Sequence, residues 1–233
     1  MGDTVDKQAK SKNSRKSHQK IATSVKDEAL VEKRRQQIFE AALKAFADGG
    51  FHKTNLRQIT KLADLAYGSV YDYVKTKDDI LFLIYDKILG ELYHALLEAS
   101  SCSQDPKEQL RALIKAAMDH TDEYKDAIIL LYQESRVMKT SGHLPEVFEK
   151  ERSYLRLFVD ILERGIEEGV FQVSNVRLLE NILPLMCSVW ALKRWNLKGM
   201  TKEEYTDALI EFVLRGLEVK PAAASQLALT ANF

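Results

Sequence analysis

Glycine and proline are scarce in this chain, 10 and 4 in 233 residues, and its long apolar stretches repeat at helical rather than alternating spacing. That excludes a sheet built on tight turns. Neither strand-like alternation bounded by turn residues nor an internal repeat is found, so the expected class is all-α. Cys102 and Cys187 are the only cysteines, too few for a disulfide framework. With no secretory leader either, the expected compartment is a reducing cytoplasm. Long hydrophobic runs are also missing. The most apolar stretch, 182–192, is too short to span a bilayer and ends at Lys193 and Arg194, so no membrane partner is expected. The histidines His18, His52, His94, His120 and His143 show no metal-ligand spacing, and neither a Gly-x-Ser-x-Gly elbow nor a Gly-rich phosphate loop occurs. Glu167 and Glu168 read as a solvated helix end, Cys102 as a loop thiol with no basic neighbour, Cys187 as buried and inert. No catalytic residue, metal or cofactor is therefore expected.

Net charge is zero, 34 basic against 34 acidic residues, which by itself argues against a nucleic-acid partner. The balance hides a division. Residues 1–77 hold 16 Lys and Arg against 9 Asp and Glu, and residues 78–233 hold 18 against 25. A basic front and an acidic body suit a molecule with one end on phosphate. Residues 1–30, rich in Lys, Ser and Gln, read as a disordered basic arm: either a solvated tail, or one whose Lys12, Arg15, Lys16 and Lys20 follow DNA. Residues 219–233 read as a flexible tail. Between them, nine helices are expected over 31–48, 55–63, 66–74, 78–100, 106–123, 125–140, 145–168, 176–197 and 202–217. The last opens on the capping box Thr201-x-x-Glu204.

Residues 54–80 carry the strongest signal, two short helices joined by a tight turn. Thr54 is the expected N-cap, and Leu56, Ile59, Leu62 and Ala63 form a buried face. Asp64 stands where the left-handed region is wanted. Leu65 and Val70 anchor the second helix, which presents Tyr67, Gly68, Ser69, Tyr71, Asp72 and Tyr73. Gly68 lets backbone approach DNA closely. Thr54, Lys75 and Lys77 are the expected phosphate clamps, and Arg57 reaches phosphate or a base edge; Tyr71 is alternatively a core residue. A reading helix with Tyr and Ser but no Arg or Asn makes few bidentate base contacts, leaving part of specificity to methyl groups and DNA shape.

This order of residues resembles the DNA-binding region of the TetR family of bacterial transcriptional regulators. Thr54, Ile59, Ala63, Gly68, Tyr71, Tyr73, Lys75, Lys77, Asp78, Asp79 and Ile80 keep the family's register. Thr60, Asp64, Ala66 and Val74 depart from its usual Ala, Gly, Ser and Phe; the change at Ala66 removes a hydroxyl suited to phosphate. The resemblance implies a small helix-turn-helix domain (31–77) and a larger helical domain (78–218) that binds an effector and dimerises. It also implies a homodimeric repressor, released from a palindromic double-stranded operator by a small molecule.

The eighth expected helix is apolar around nearly its whole circumference, so it must be covered on all sides. One domain can do that internally. The resemblance implies instead a four-helix interface between two copies, here with Leu179, Leu183, Trp195, Tyr205, Leu209 and Phe212. Such pairing sets two recognition helices about 34 Å apart. Met118, Leu131, Tyr132, Phe158, Ile161, Met186, Val189 and Trp190 suit the wall of an apolar cavity, and equally an ordinary core. The segment WALKRW, Trp190 to Trp195, resembles TetR regulators of fatty acid degradation, which respond to long-chain acyl-CoA thioesters; Lys193 and Arg194 would then meet phosphates. Two alternatives remain open: a helical binding module without DNA recognition, and a helical enzyme.

Overall fold

The structure, a computed structural model, describes residues 21, 23–140 and 142–219, so the expectations for 1–20 and 220–233 lie outside the described residues. α1 (Glu28–Gly49) starts three residues before the expected Val31, because Asp27 accepts from the Leu30 amide and caps it. The preceding residues are not a free arm as far back as 23. Ile21 is buried, its carbonyl accepts from Arg35, and the hydroxyls of Thr23 and Ser24 donate to Asp72.

α2 (Leu56–Leu62) is capped by Asn55, not Thr54: Asn55 and Gln58 form a reciprocal capping box. Asp64 takes φ +53°, the left-handed turn expected of it. The expected recognition helix over 66–74 is one tight 3₁₀ turn, Ser69–Asp72, because the Ser69 amide already turns onto the Ala66 carbonyl at 3.0 Å. α3 (Lys77–Ser100) follows, opened by a second capping box between Thr76 and Asp79.

The remaining helices are α4 (Pro106–Glu123), α5 (Lys125–Gln133), α6 (Ser135–Thr140), α7 (Leu144–Glu167), α8 (Val176–Leu192) and α9 (Lys202–Leu217). Two differ from expectation. The stretch 125–140 is broken at Glu134 into α5 and α6, and α8 ends five residues early, in successive turns closed by Gly199 at φ +90°. Phe171 and Glu218 form an isolated antiparallel bridge, and there is no named strand among the described residues. Gly165 is required where it stands: a Cβ there would sit 2.1 Å from the Phe171 ring, which folds under α7 to close the body.

Two apolar cores result. The near core joins Ile38, Phe46, Ile59, Val70 and Ile80 to Ala127, Leu130, Leu131 and Val147, so packing runs unbroken through the expected boundary at 77/78. The far core gathers Leu96, Leu110, Phe158, Leu183, Trp190 and Ile210 from α3, α4, α7, α8 and α9. Among the described residues no helix is long and apolar enough to cross a membrane.

Candidate DNA-binding surface and effector cavity

The expected DNA-facing residues divide into two sets. Arg57, Tyr67 and Tyr71 are exposed and touch one another. The Arg57 guanidinium lies 5.3 Å from the Tyr67 ring centre, and the Tyr67 and Tyr71 hydroxyls are 2.9 Å apart. Edge-to-face packing of the two rings holds them as one projecting unit. Gly68 and Lys75 are exposed beside them, the Lys75 ammonium bent back to the Tyr71 carbonyl.

The second set faces inward. Thr54 is 4 % exposed, and its hydroxyl is within hydrogen-bond reach of the Ala45 and Gly50 carbonyls, at 3.0 and 2.8 Å. Lys77 Nζ lies 2.7 Å from the Phe51 carbonyl, 3.3 Å from that of His52 and 3.2 Å from that of Thr54, above the Phe51 ring. With its donors on backbone carbonyls, this ammonium fastens the α1–α2 loop and is not free to clamp a phosphate. Tyr73, not Tyr71, is the core tyrosine. The Ser69 hydroxyl is turned to the Ala66 carbonyl, and Asp72 is occupied by Ser24. Leu62, expected inside, is exposed, and Thr60 is buried in its stead.

A cavity of about 280 Å³ lies between α3, α4, α5, α7 and α8. Its wall takes Ile88, Leu131 and Val147 from the near core, and Leu96, Ala117, Phe158 and Cys187 from the far core. It therefore occupies the seam between them. Of the expected lining, Leu131, Tyr132 and Phe158 are in place; Met118, Ile161, Met186, Val189, Trp190 and Arg194 are not. Met118 and Ile161 are far-core packing. Trp190 turns away to donate its indole hydrogen to Asp122 at 2.8 Å, tying α8 to α4, and Arg194 stacks 4.0 Å over its other side. The polar wall was not anticipated. Tyr85 donates to Glu151 at 2.6 Å, and burial, then that hydrogen bond, pushes its pKa well above the ordinary tyrosine range. His120 and Tyr154 complete it. Burial pushes the Cys187 thiol up to about 12, so it stays protonated and unreactive.

Two histidines bridge the DNA-binding head and the body on either side of α6. His52 lies 3.2 Å from Glu134, and His143 lies 3.1 Å from Asp79 while stacking on Phe82. Asp79 also accepts from the Lys75 and Thr76 amides, at the exit from the recognition turn. Burial raises its pKa, but the His143 contact and these two amides together hold it below the usual carboxylate range.

Residues 38–84 match the family model for bacterial regulatory proteins of the tetR family, and residues 103–217 match that for the tetracyclin repressor-like C-terminal domain. The chain belongs to the TetR family. It is accordingly a DNA-binding transcriptional regulator and not an enzyme. Among similar proteins, the HTH-type transcriptional regulator HbdR of Aromatoleum sp. (strain CIB) is 28 % identical over 77 % of this chain and 78 % of its own. The fatty acid metabolism regulator protein of Bacillus subtilis is 26 % identical over 63 % of this chain and 76 % of its own. The crystal structure of PfmR from Thermus thermophilus superposes with a TM-score of 0.68 at 27 % identity, covering 80 % of this chain and 98 % of that one.

The expected dimer residues are split by the structure. Leu183 and Leu209 are buried in the far core, and Tyr205 is half-buried, its hydroxyl 2.7 Å from the Met186 carbonyl. Leu179 is half-buried. Trp195 is exposed but beyond the end of α8, under Lys193. Phe212, 66 % exposed, lines one surface hollow with Leu178, and Leu185, also exposed, follows Leu178 by two turns of α8. Leu178 and Leu185 were not expected there. Their helical spacing was visible, but a helix apolar all round does not reveal which side is left over.

Proposed function

We propose that this regulator is a cytoplasmic homodimeric repressor, released from a palindromic operator when an acyl-CoA thioester enters the seam cavity. Two copies would pair through Leu178, Leu185 and Phe212, exposed apolar side chains on α8 and α9. Arg57, Tyr67, Tyr71 and Lys75 would then meet the major groove and its phosphates.

The observation that carries this reading is the cavity's position. A molecule wedged between the near and far cores changes how the DNA-binding end sits on the pairing end. The two histidine contacts flank α6, whose Ser135 and Lys139 line the cavity, so displacement of α6 would reach Asp79 and the recognition turn. Such a switch works only to the extent that the ligand prefers the non-binding arrangement. Support for the acyl-CoA class comes from the apolar wall, from Lys139 as a cation for phosphate, and from the name of the Bacillus relative. The WALKRW segment adds none, because Trp190 and Arg194 lie outside the cavity.

The test is fluorescence anisotropy on a duplex selected from a random pool at low salt, titrated with decanoyl-CoA and palmitoyl-CoA. The expected outcome is a rise in Kd of about 5- to 150-fold, the usual range of coupling between sites. Binding that ignores both thioesters would remove this effector class. A protein that selects no duplex would remove the repressor reading.

A further inference from the structure

His120 sits in the cavity wall, 7 % exposed, with a ring nitrogen that has no hydrogen-bond partner. The imidazole is held from one side by the Ile88 backbone, and the nitrogen left over is Nε2. The bond to Ile88 therefore belongs to Nδ1, which donates its hydrogen to a carbonyl. Burial first, against a weaker opposing pull from Glu91, lowers the His120 pKa below the ordinary histidine range, so the ring is neutral near pH 7. A neutral ring with its one hydrogen on Nδ1 carries a bare lone pair at Nε2. An unmet buried acceptor is costly and is uncommon in folded proteins.

The neighbouring hydroxyls do not relieve it. Tyr85 gives its hydrogen to Glu151 at 2.6 Å, and Ser188 gives its own to the Pro184 carbonyl at 3.1 Å. The cavity is thus apolar over most of its surface, and one nitrogen of a ring in its wall, itself closed to solvent, has no donor; the same ring borders a second hollow lined by Glu91 and Tyr124.

We infer that the effector is an apolar molecule bearing a hydroxyl, and that this hydroxyl donates to His120 Nε2. A plain hydrocarbon chain would fill the same space and leave the lone pair unmet. The inference rests on the proposed function only in taking the seam cavity as the effector site. It narrows the class from any acyl chain to a hydroxylated chain or ring.

Decanol and its isomer methyl nonyl ether make the decisive pair, since both fit an apolar cavity and only the alcohol can donate. Their affinities for the full chain are read by calorimetry, with thermal shift as a second measure. The wild-type protein should prefer the alcohol about tenfold, the worth of one hydrogen bond of about 1.4 kcal/mol. His120→Phe keeps an aromatic ring and should bring the ratio near one, while His120→Gln, which restores an acceptor near Nε2, should recover part of the preference. Equal affinity of the wild type for the two isomers overturns the inference without any variant, as does binding of neither. A preference that survives in a folded His120→Phe protein overturns it too. Failure of CoA thioesters to act on operator binding, with the alcohol preference intact, would sink only the acyl-CoA reading.

Discussion

The near and far cores are built from the same kinds of apolar side chain, yet they differ in how their polar groups are settled. In the head, beside the near core, several polar side chains are spent on backbone carbonyls and amides: Lys77 on three carbonyls, Thr54 on two, Asp79 on two amides, Arg35 on Ile21 and Tyr73. Around the far core, the buried Trp190 indole meets a side chain of another helix, Asp122, and two acceptors on α4, Gln109 Oε1 and His120 Nε2, are left unmet. The first arrangement fixes backbone shape, which a groove-reading surface requires. The second leaves helices able to shift on one another, which a ligand-driven change requires.

That contrast can be broken from either side. The largest effect is expected at the far end: Leu178→Glu with Phe212→Glu should abolish pairing and with it operator binding. The head's fold should remain, so sedimentation should report a monomer with normal helical circular dichroism. A dimer that still binds DNA would place pairing elsewhere. In the head, Lys75→Met and Lys77→Met should separate. Lys75→Met should weaken DNA binding and flatten the slope of log K against log salt by about one phosphate contact. Lys77→Met should lower the melting temperature and leave that slope unchanged, because its half-buried ammonium is committed to three carbonyls, whereas the exposed Lys75 rests on one. Equal salt slopes for the two variants would contradict the assignment.

The smallest effect concerns Asp79. Its depressed pKa means the charged form stabilises the fold at neutral pH, and this contribution is lost as pH falls below the ordinary carboxylate range. Asp79→Asn should cost about 1 kcal/mol near pH 7, typical for a lost helix cap, and progressively less in acid. A constant difference between the proteins from pH 7 to pH 3 would show that the charge is irrelevant.

Much of the fold could be read from the chain because local chemistry and tertiary need agree. Asp64 turns left-handed, Thr201 and Glu204 cap α9, and Gly169, at φ +70°, ends α7, as their types and spacing indicate. Disagreement arises where two local solutions compete. Thr54 and Asn55 are both good caps, and burial of Thr54 against Ala45 and Gly50 decides for Asn55. The break at Glu134 has no Gly or Pro to announce it. The binding surfaces were half legible. The Arg57, Tyr67 and Tyr71 cluster follows from the helix-turn-helix register, whereas the inward turn of Lys77 depends on a loop 23 to 26 residues earlier. The cavity was least legible, since apolar periodicity marks what is buried and not where packing is incomplete. His120 looks like any core histidine until its missing partner is seen.

The two tryptophans give the molecule an optical reporter without any labelling. Trp190 is sealed between α4 and α8 with its indole hydrogen on Asp122, one turn from the cavity-lining Cys187. Trp195 stands in solvent beneath an ammonium. Emission from the first should sit at the blue edge and from the second at the red edge, so a single spectrum can follow the interior and the surface of this regulator separately.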